Sequence, residues 1–507
     1  MRRGRTILST AVLAGLIVVG ALNGCSSNGG NSSNNDGGGG GKDDVSAAAY
    51  LFYSGSLFAV DPTNPGAPIA VETSDIGLNG TIPSAGFDAA SLSVSNIRNH
   101  TVVYEKGGQL FKVAASKSAA PSPTQLSSEA DAADLCEMTY GVDWANVANS
   151  QVVYRVRGTD GSCGGSDDQW RMVRIGMPAT DAPVPAKQPV WELVTPSTGA
   201  LAGWLGVEGK TLYQYDANFG SPTSLASFTS TVDYVDDRGD TVWLRVDNTL
   251  RAYRVADGTL TTRHTFSSTP SFVDSQIGDN TLYFADNASV YKVPMDGSAD
   301  ATLVVTDTET VSEMVLTTNR VVYRLGSGSV KSVLKTGGSP TTLESGTGFA
   351  SDLASAGARV YYTVYGADFV VAKVRLEDGT EEAAHSNAMW IGKLYGTAAT
   401  AGSQVATSRV ILAEGVTVSP DLRVGGSSLS SYDAATHTVV AALGSVPSDV
   451  EFLYFGGLGN TVLGMAWATG TGTSTGQQDI FFANTEVAGS LQRVTNTSDK
   501  DEVPVEF

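Results

Sequence analysis

Pro270-Ser-Phe-Val-Asp-Ser-Gln-Ile277, then Gly278-Asp279-Asn280, then Thr281-Leu-Tyr-Phe-Ala285 is the stretch that decides the fold. Two runs rich in β-branched and aromatic residues are parted by residues that turn the chain, which reads as two antiparallel strands. Asp286-Asn287 is a hairpin turn by composition, and Ser289-Val-Tyr-Lys-Val293 alternates as a third strand. Asp296-Gly297 turns again, and Ala301-Thr-Leu-Val-Val305 is a fourth strand. Four short strands with tight turns make one antiparallel unit.

That unit returns along the chain. Val-Val-Tyr stands at 102–104, 152–154 and 321–323, and Thr-Leu-Tyr at 211–213 and 281–283. Thr-Val-Trp at 241–243 and Val-Tyr-Tyr at 360–362 are variants. The anchoring aromatics Tyr104, Tyr154, Tyr213, Trp243, Tyr283, Tyr323 and Tyr362 are 50, 59, 30, 40, 40 and 39 residues apart. A repeat near 40 residues built from strands is the pattern of propeller blades. The same grammar fits 231–266, 311–345 and 351–384, and later 404–444 and 451–495, whereas 201–228 reads as a truncated unit.

The expectation is an all-β chain in which 46–507 form a single β-propeller of four-stranded antiparallel blades. Up to ten units can be counted, but rings normally hold about four to eight blades. Eight is therefore expected, with seven and ten as alternatives. The first unit, Tyr50-Leu-Phe-Tyr53 onward, has no strand before it. The C-terminal Glu502-Val-Pro-Val-Glu-Phe507 is expected to pair with it and close the ring, since two edges would otherwise stand exposed. Pro504 restricts that strand to an edge or a strand start. No segment has a convincing helical period, and 128–135 comes nearest.

The N-terminus reads as an export signal over 1–24. Arg2, Arg3 and Arg5 precede the uncharged, mostly apolar run Thr6 to Ala21, too short for a bilayer span. Leu22-Asn23-Gly24-Cys25 then resembles the bacterial lipobox, which implies that Cys25 is lipidated and becomes the first mature residue. Residues 25–45 follow as a Gly/Ser/Asn tether that cannot form a core. Ser26 resembles the outer-membrane sorting pattern. The expected location is the cell envelope, at the outer membrane where there are two membranes.

Cys136 and Cys163 are the other two cysteines, and export favours a disulfide between them. The net charge of −20 disfavours nucleic acid and anionic lipid as partners, so the membrane is met through the lipid alone. His100, His264, His385 and His437 share no metal-ligand spacing and read as surface residues. Gly472-Thr-Ser-Thr-Gly476 has the nucleophile-elbow pattern but lies in a low-complexity loop without the required strand and helix. Asp233, Asp236, Asp237 and Asp240 crowd what reads as one turn, and Asp160, Asp167 and Asp168 surround Cys163. Either group reads as solvated turn carboxylates or as part of a structural calcium site, and no other cofactor is expected. The long insertion 155–170, ending at Trp170, is the expected partner-binding loop, because loops on a rigid scaffold carry function. Trp144, Trp191, Trp204, Trp390 and Trp467 read mostly as inter-blade packing.

Leu491-Gln-Arg-Val-Thr-Asn-Thr497 with Asp499-Lys-Asp-Glu-Val-Pro504 resembles the start of a TolB-type propeller repeat. Ser431-Tyr-Asp-Ala-Ala-Thr436 resembles the third-strand turn of quinoprotein-like repeats, although His437 replaces their glycine and their closing tryptophan is missing. These resemblances imply a bacterial exported propeller that binds or scaffolds envelope proteins. The alternative is an extracytoplasmic enzyme acting on polysaccharide or peptide, with carboxylates at the channel mouth.

Overall fold

The computed structural model describes residues 50–53, 57–60, 69–72, 101–106, 109–114, 123–127, 135–141, 146–156, 158–159, 167–183, 188–194, 200–208, 210–220, 222–229, 232–238, 241–267, 272–346, 348–395, 407–418, 422–456, 461–468, 477–495 and 503–504. The expected signal segment, Cys25, the expected tether and 128–134 of the helix candidate 128–135 lie outside them, and Leu135 opens a strand. The regular structure among the described residues is antiparallel strand, with one 3₁₀ turn at Val147–Asn149.

The strands fall into consecutive units, numbered here in chain order. Unit 1 holds 50–72, and unit 2 holds three described strands within 101–125. Units 3 to 8 are four-stranded sheets spanning 135–183, 188–227, 232–265, 272–306, 311–344 and 349–386. Units 9 and 10, 388–445 and 450–493, are two four-stranded runs that meet in one eight-stranded sheet. They join through their first strands, in a parallel contact of Gly392 with Phe455. A Cβ at Gly392 would stand 3.1 Å from Phe455 Cβ and 3.2 Å from its carbonyl oxygen, so a bare backbone permits this approach. The ten units among the described residues equal the repeats countable in the sequence.

The tail pairs as expected. Phe52 faces Pro504 and Tyr53 faces Val503 in an antiparallel register, which places Val503–Pro504 where unit 1 lacks a first strand. Val60 and the flanking Phe58 share a core with Ile480 and Phe482 of unit 10.

Burial explains the repeated phrase. The second strands Thr241–Val246, Thr281–Asp286 and Arg359–Tyr365 are buried along nearly every residue, on both faces. Sheets of neighbouring units cover them: Val322, Val330 and Leu343 of unit 7 pack on Leu353, Val360, Tyr362 and Val364 of unit 8. Strands covered on both sides read as continuous apolar runs instead of alternating ones. Each fully buried aliphatic side chain stabilises by about 1.5–3 kcal/mol relative to exposure. The fourth strands, such as Glu381–Ser386, are exposed or half-buried throughout and polar in sequence.

The turns follow their residues. Asp279 and Asn280, both at positive φ (55° and 53°), form the two-residue loop between Gly278 and Thr281. Asp and Asn tolerate that region and supply the turn twist that flanking strands need.

Two readings change. Residues 201–228 are not a truncated unit: Gln188–Val194, Leu201–Glu208, Thr211–Asp216 and Thr223–Ser227 form a complete sheet. Here Thr-Leu-Tyr at 211–213 lies on the third strand, and buried Trp204 occupies the second. The uneven intervals of 59 and 30 residues on either side of Tyr213 come from that one-strand offset. Similarly, Asp233, Asp236 and Asp237 do not sit in a turn; they are spread along the first strand of unit 5, Val232–Arg238.

Candidate binding face

Within each unit the second-to-third connection leaves at the same end as the start of the first strand, because consecutive strands alternate direction. Three long connections leave from this end, 157–168 in unit 3, 415–427 in unit 9 and 469–476 in unit 10, while 142–150 of unit 3 and 396–406 of unit 9 leave from the other.

The first strands share a second feature at this end. In units 3 to 10 each carries a register shift against its second strand, between Leu135 and Glu137, Pro189 and Trp191, Tyr234 and Asp236, Phe272 and Ser275, Val311 and Glu313, Ser351 and Ala354, Trp390 and Gly392, and Val450 and Phe452. A bulge inserts an unpaired residue and re-aims side chains. A carboxylate stands in or beside it in seven of these units: Glu137, Glu192, Asp236, Asp274, Glu313, Asp352 and Glu451. Sequence reading missed this series. The signal was present, since Asp236, Asp274, Glu313 and Asp352 are spaced by 38, 39 and 39 residues.

Three of these carboxylates have described surroundings. Glu313 Oε2 accepts from Arg324 Nε at 3.0 Å within unit 7, and its Oε1 accepts from the Leu353 N–H at 2.8 Å. Leu353 is itself a bulge residue of unit 8, so the acid of one bulge satisfies a backbone donor of the next. Asp352, at φ 61°, accepts from Tyr365 Oη at 3.4 Å. Glu451 pairs with Arg423 at 3.5 Å, and its carbonyl accepts from Val424 N at 3.0 Å. The loop 415–427 of unit 9 is thereby moored to the first strand of unit 10.

The expected partner loop of unit 3 is built differently from its sequence reading. Asp167 Oδ2 accepts from Thr159 N and Oγ1 at 2.7 and 2.8 Å, and Asp168 Oδ1 accepts from Gly158 N at 2.9 Å. Asp168 also faces Arg155 at 3.6 Å with its own side chain 3% exposed. Trp170 is 6% exposed, lies under the Arg155 guanidinium, and packs with Val153, Leu201 and Trp204. These side chains form the neck that joins the two ends of the insertion. Asp160 and Cys163 lie outside the described residues, and Cys136 stands on the strand Leu135–Gly141.

Among the described residues no three His, Cys, Asp or Glu side chains converge as a metal site. Asp240 lies outside them. The three described histidines are not surface residues but line the seams between units. His264 contacts Asp286 Oδ2 at 3.1 Å between units 5 and 6, where Asp286 Oδ1 also accepts from Ser267 Oγ at 3.3 Å. His385 and His437 face each other between units 8 and 9 at 5.9 Å between ring centroids. Trp390 is 4% exposed beside them, as inter-unit packing requires. At the outer edge of unit 10, Phe482, Asn484, Val487 and Leu491 line an open groove of about 340 Å³.

No family model matches the sequence. No curated protein matches it. Among solved structures it is similar to a eukaryotic initiation factor, at 9% identity over 81% of this chain and 99% of that one, with a TM-score of 0.44. It is similar to BamB from Moraxella catarrhalis at 12% identity, over 63% of this chain and 92% of that one, with a TM-score of 0.34. It is also similar to the tricorn protease at 10% identity, over 87% of this chain and 46% of that one, with a TM-score of 0.33. Scores of this size carry no argument, so the architecture rests on the chain's own strand pairing.

Proposed function

We propose that the protein is a lipid-anchored β-propeller of the cell envelope that binds other proteins through the face where its long second-to-third connections emerge. The observation that carries this reading is the coincidence, at one end of the units, of three long second-to-third connections with the acidic bulge of nearly every first strand. Such an end offers adaptable loops on a rigid frame, and the net charge of −20 favours a partner with a complementary basic patch.

A closed ring of ten units is the accompanying proposal. Its support is the parallel contact between the first strands of units 9 and 10, the tail on unit 1, and the shared core of Val60 with Ile480 and Phe482. Anchoring through Cys25 and sorting to an outer membrane rest on the lipobox resemblance and on Ser26. Metabolic labelling with a fatty acid tests the anchor: label is expected on the natural chain and absent from Cys25→Ser.

Binding is tested by crosslinking in cells at native expression, followed by mass spectrometry of co-purifying proteins. Residues 160–166 are replaced by a Gly/Ser segment, which spares the neck of Gly158, Asp167, Asp168 and Trp170. A stoichiometric envelope protein captured by the natural chain and lost with the replacement is the expected result. Capture of no such protein, or the same set with both chains, sinks the assignment of this face.

A further inference from the structure

We propose that the seam between units 8 and 9 is an acid-sensitive clasp, closed while His437 is neutral and loosened when it takes up a proton.

The seam is assembled from both sides. Unit 8 contributes Arg359 and Tyr361 from its second strand and Glu382 and His385 from its fourth. Unit 9 contributes Trp390, Glu414, Tyr432 and the turn from Asp433 to His437. Tyr361 Oη donates to the Ala434 carbonyl at 2.6 Å, and Arg359 donates to the Ala435 carbonyl. Unit 8 thus holds the turn of unit 9 by two of its backbone oxygens. His437 closes that turn at φ 54°, its N–H bonded to the Asp433 carbonyl at 2.8 Å. Its ring stacks on Tyr432 at 5.0 Å and lies 6.2 Å from Trp390.

The decisive atoms are two ring nitrogens. His385 Nδ1 faces Glu414 Oε1 at 3.4 Å, while His385 Nε2 and His437 Nδ1 are buried with no partner among the described residues. A neutral imidazole can leave one nitrogen as a bare acceptor at modest cost. A protonated one is a donor at both nitrogens, and a buried donor without an acceptor is expensive.

Glu414 of unit 9 faces His385 across the seam, whereas the other charged groups around the pair are already committed. Glu382 accepts from Arg359 Nε at 2.6 Å and Nη2 at 2.9 Å. Asp433 caps its own turn, accepting from Ala435 N and Thr436 N at 3.0 and 2.9 Å, and pairs with Arg409. Lys373, on the third strand of unit 8, offers its carbonyl to Trp390 Nε1 and turns its ammonium to Glu344. Stacking on Tyr432 favours an imidazolium, but burial first, and the neighbouring His385 second, hold His437 below the usual histidine value of 6.5. A histidine lowered in this way stabilises the fold above its ordinary titration range, and that contribution is lost as pH falls below it.

Hydrogen exchange on the full-length protein tests the clasp, at about pH 7.5 and about pH 5, the window in which histidine titrates. After correction for intrinsic rates, peptides covering 381–386 and 433–439 are expected to exchange several-fold faster at the lower pH, while the second strand of unit 7 is unchanged. His437→Asn keeps a side chain that tolerates positive φ and cannot titrate; His385→Gln is the second variant. Loss of the acid response in His437→Asn supports the clasp. A flat response in the natural chain, or the same acceleration in His437→Asn, overturns it.

Discussion

At the scale of single residues, the repeated aromatic does more than fill the core. Tyr323 donates to Asp307 at 3.0 Å, and Lys331 reaches both oxygens of the same carboxylate at 2.8 and 2.9 Å. Asp307 follows the fourth strand of unit 6, so the contact ties one unit to the next. Unit 8 repeats the arrangement, with Tyr362 at 3.5 Å and Lys373 at 2.6 Å from Glu344, at the end of unit 7. Burial alone would raise Asp307, but the bonds from Lys331, the Thr308 amide and Tyr323 outweigh it and hold the carboxyl below 3.8. A lowered carboxyl stabilises the fold above its ordinary range, and the gain is lost as pH falls through the folded value. Asp307→Ala, which strands a nearly buried hydroxyl and ammonium, should cost about 2 kcal/mol, read as a lower urea midpoint at unchanged slope. The difference from the natural chain should begin to shrink below about pH 4, where the unfolded chain takes up the proton, and be lost as pH falls through the lower folded value. A variant as stable as the natural chain at neutral pH contradicts the latch. The aromatic phrase was legible in sequence; its acid was not, because the acid belongs to the preceding unit and lies 16 or 18 residues away.

At the scale of elements, the bulged first strand is the part of the fold that composition hides. Strand runs and turns announce themselves by residue type, whereas a bulge is one extra residue whose effect appears only against its partner strand. The aspartates of unit 5 show the consequence. Read as four carboxylates in a turn they suggest calcium, but their strand separates them across a register shift between Tyr234 and Asp236. Glu313 gives the bulge a measurable role. Glu313→Ala leaves the Leu353 N–H and the Arg324 guanidinium without this acceptor, and should cost about 2 kcal/mol. Amide exchange at Leu353 should rise with it, while exchange within unit 5 should not. If Leu353 stays as protected as before, the acid is not what satisfies that bulge. The partner loop shows the opposite limit of sequence reading. Asp167, Asp168 and Trp170 stand close together in sequence, but spacing cannot tell a loop's neck from its tip.

At the scale of the whole molecule, the repeat set the architecture and the missing first strand of unit 1 set the expectation for the tail. The unit count was harder to read, because one displaced phrase made a complete sheet look truncated. Deleting 503–507 should expose the edge of Tyr50–Tyr53 and leave the core of Val60, Ile480 and Phe482 covered by one strand fewer. The expected result is a lower unfolding midpoint and concentration-dependent association, measured by urea titration and light scattering. A truncated chain that is as stable and as monodisperse as the natural one removes the support for closure. The pairing of Phe52 with Pro504 and Tyr53 with Val503 has one more implication. It sets Val503–Pro504 antiparallel beside Phe52–Tyr53, so a short turn could splice these two strands into one hairpin. The order in which the units are synthesised is then separable from the order in which they pack, and a circularly permuted gene opening at another turn would encode the same set of sheets.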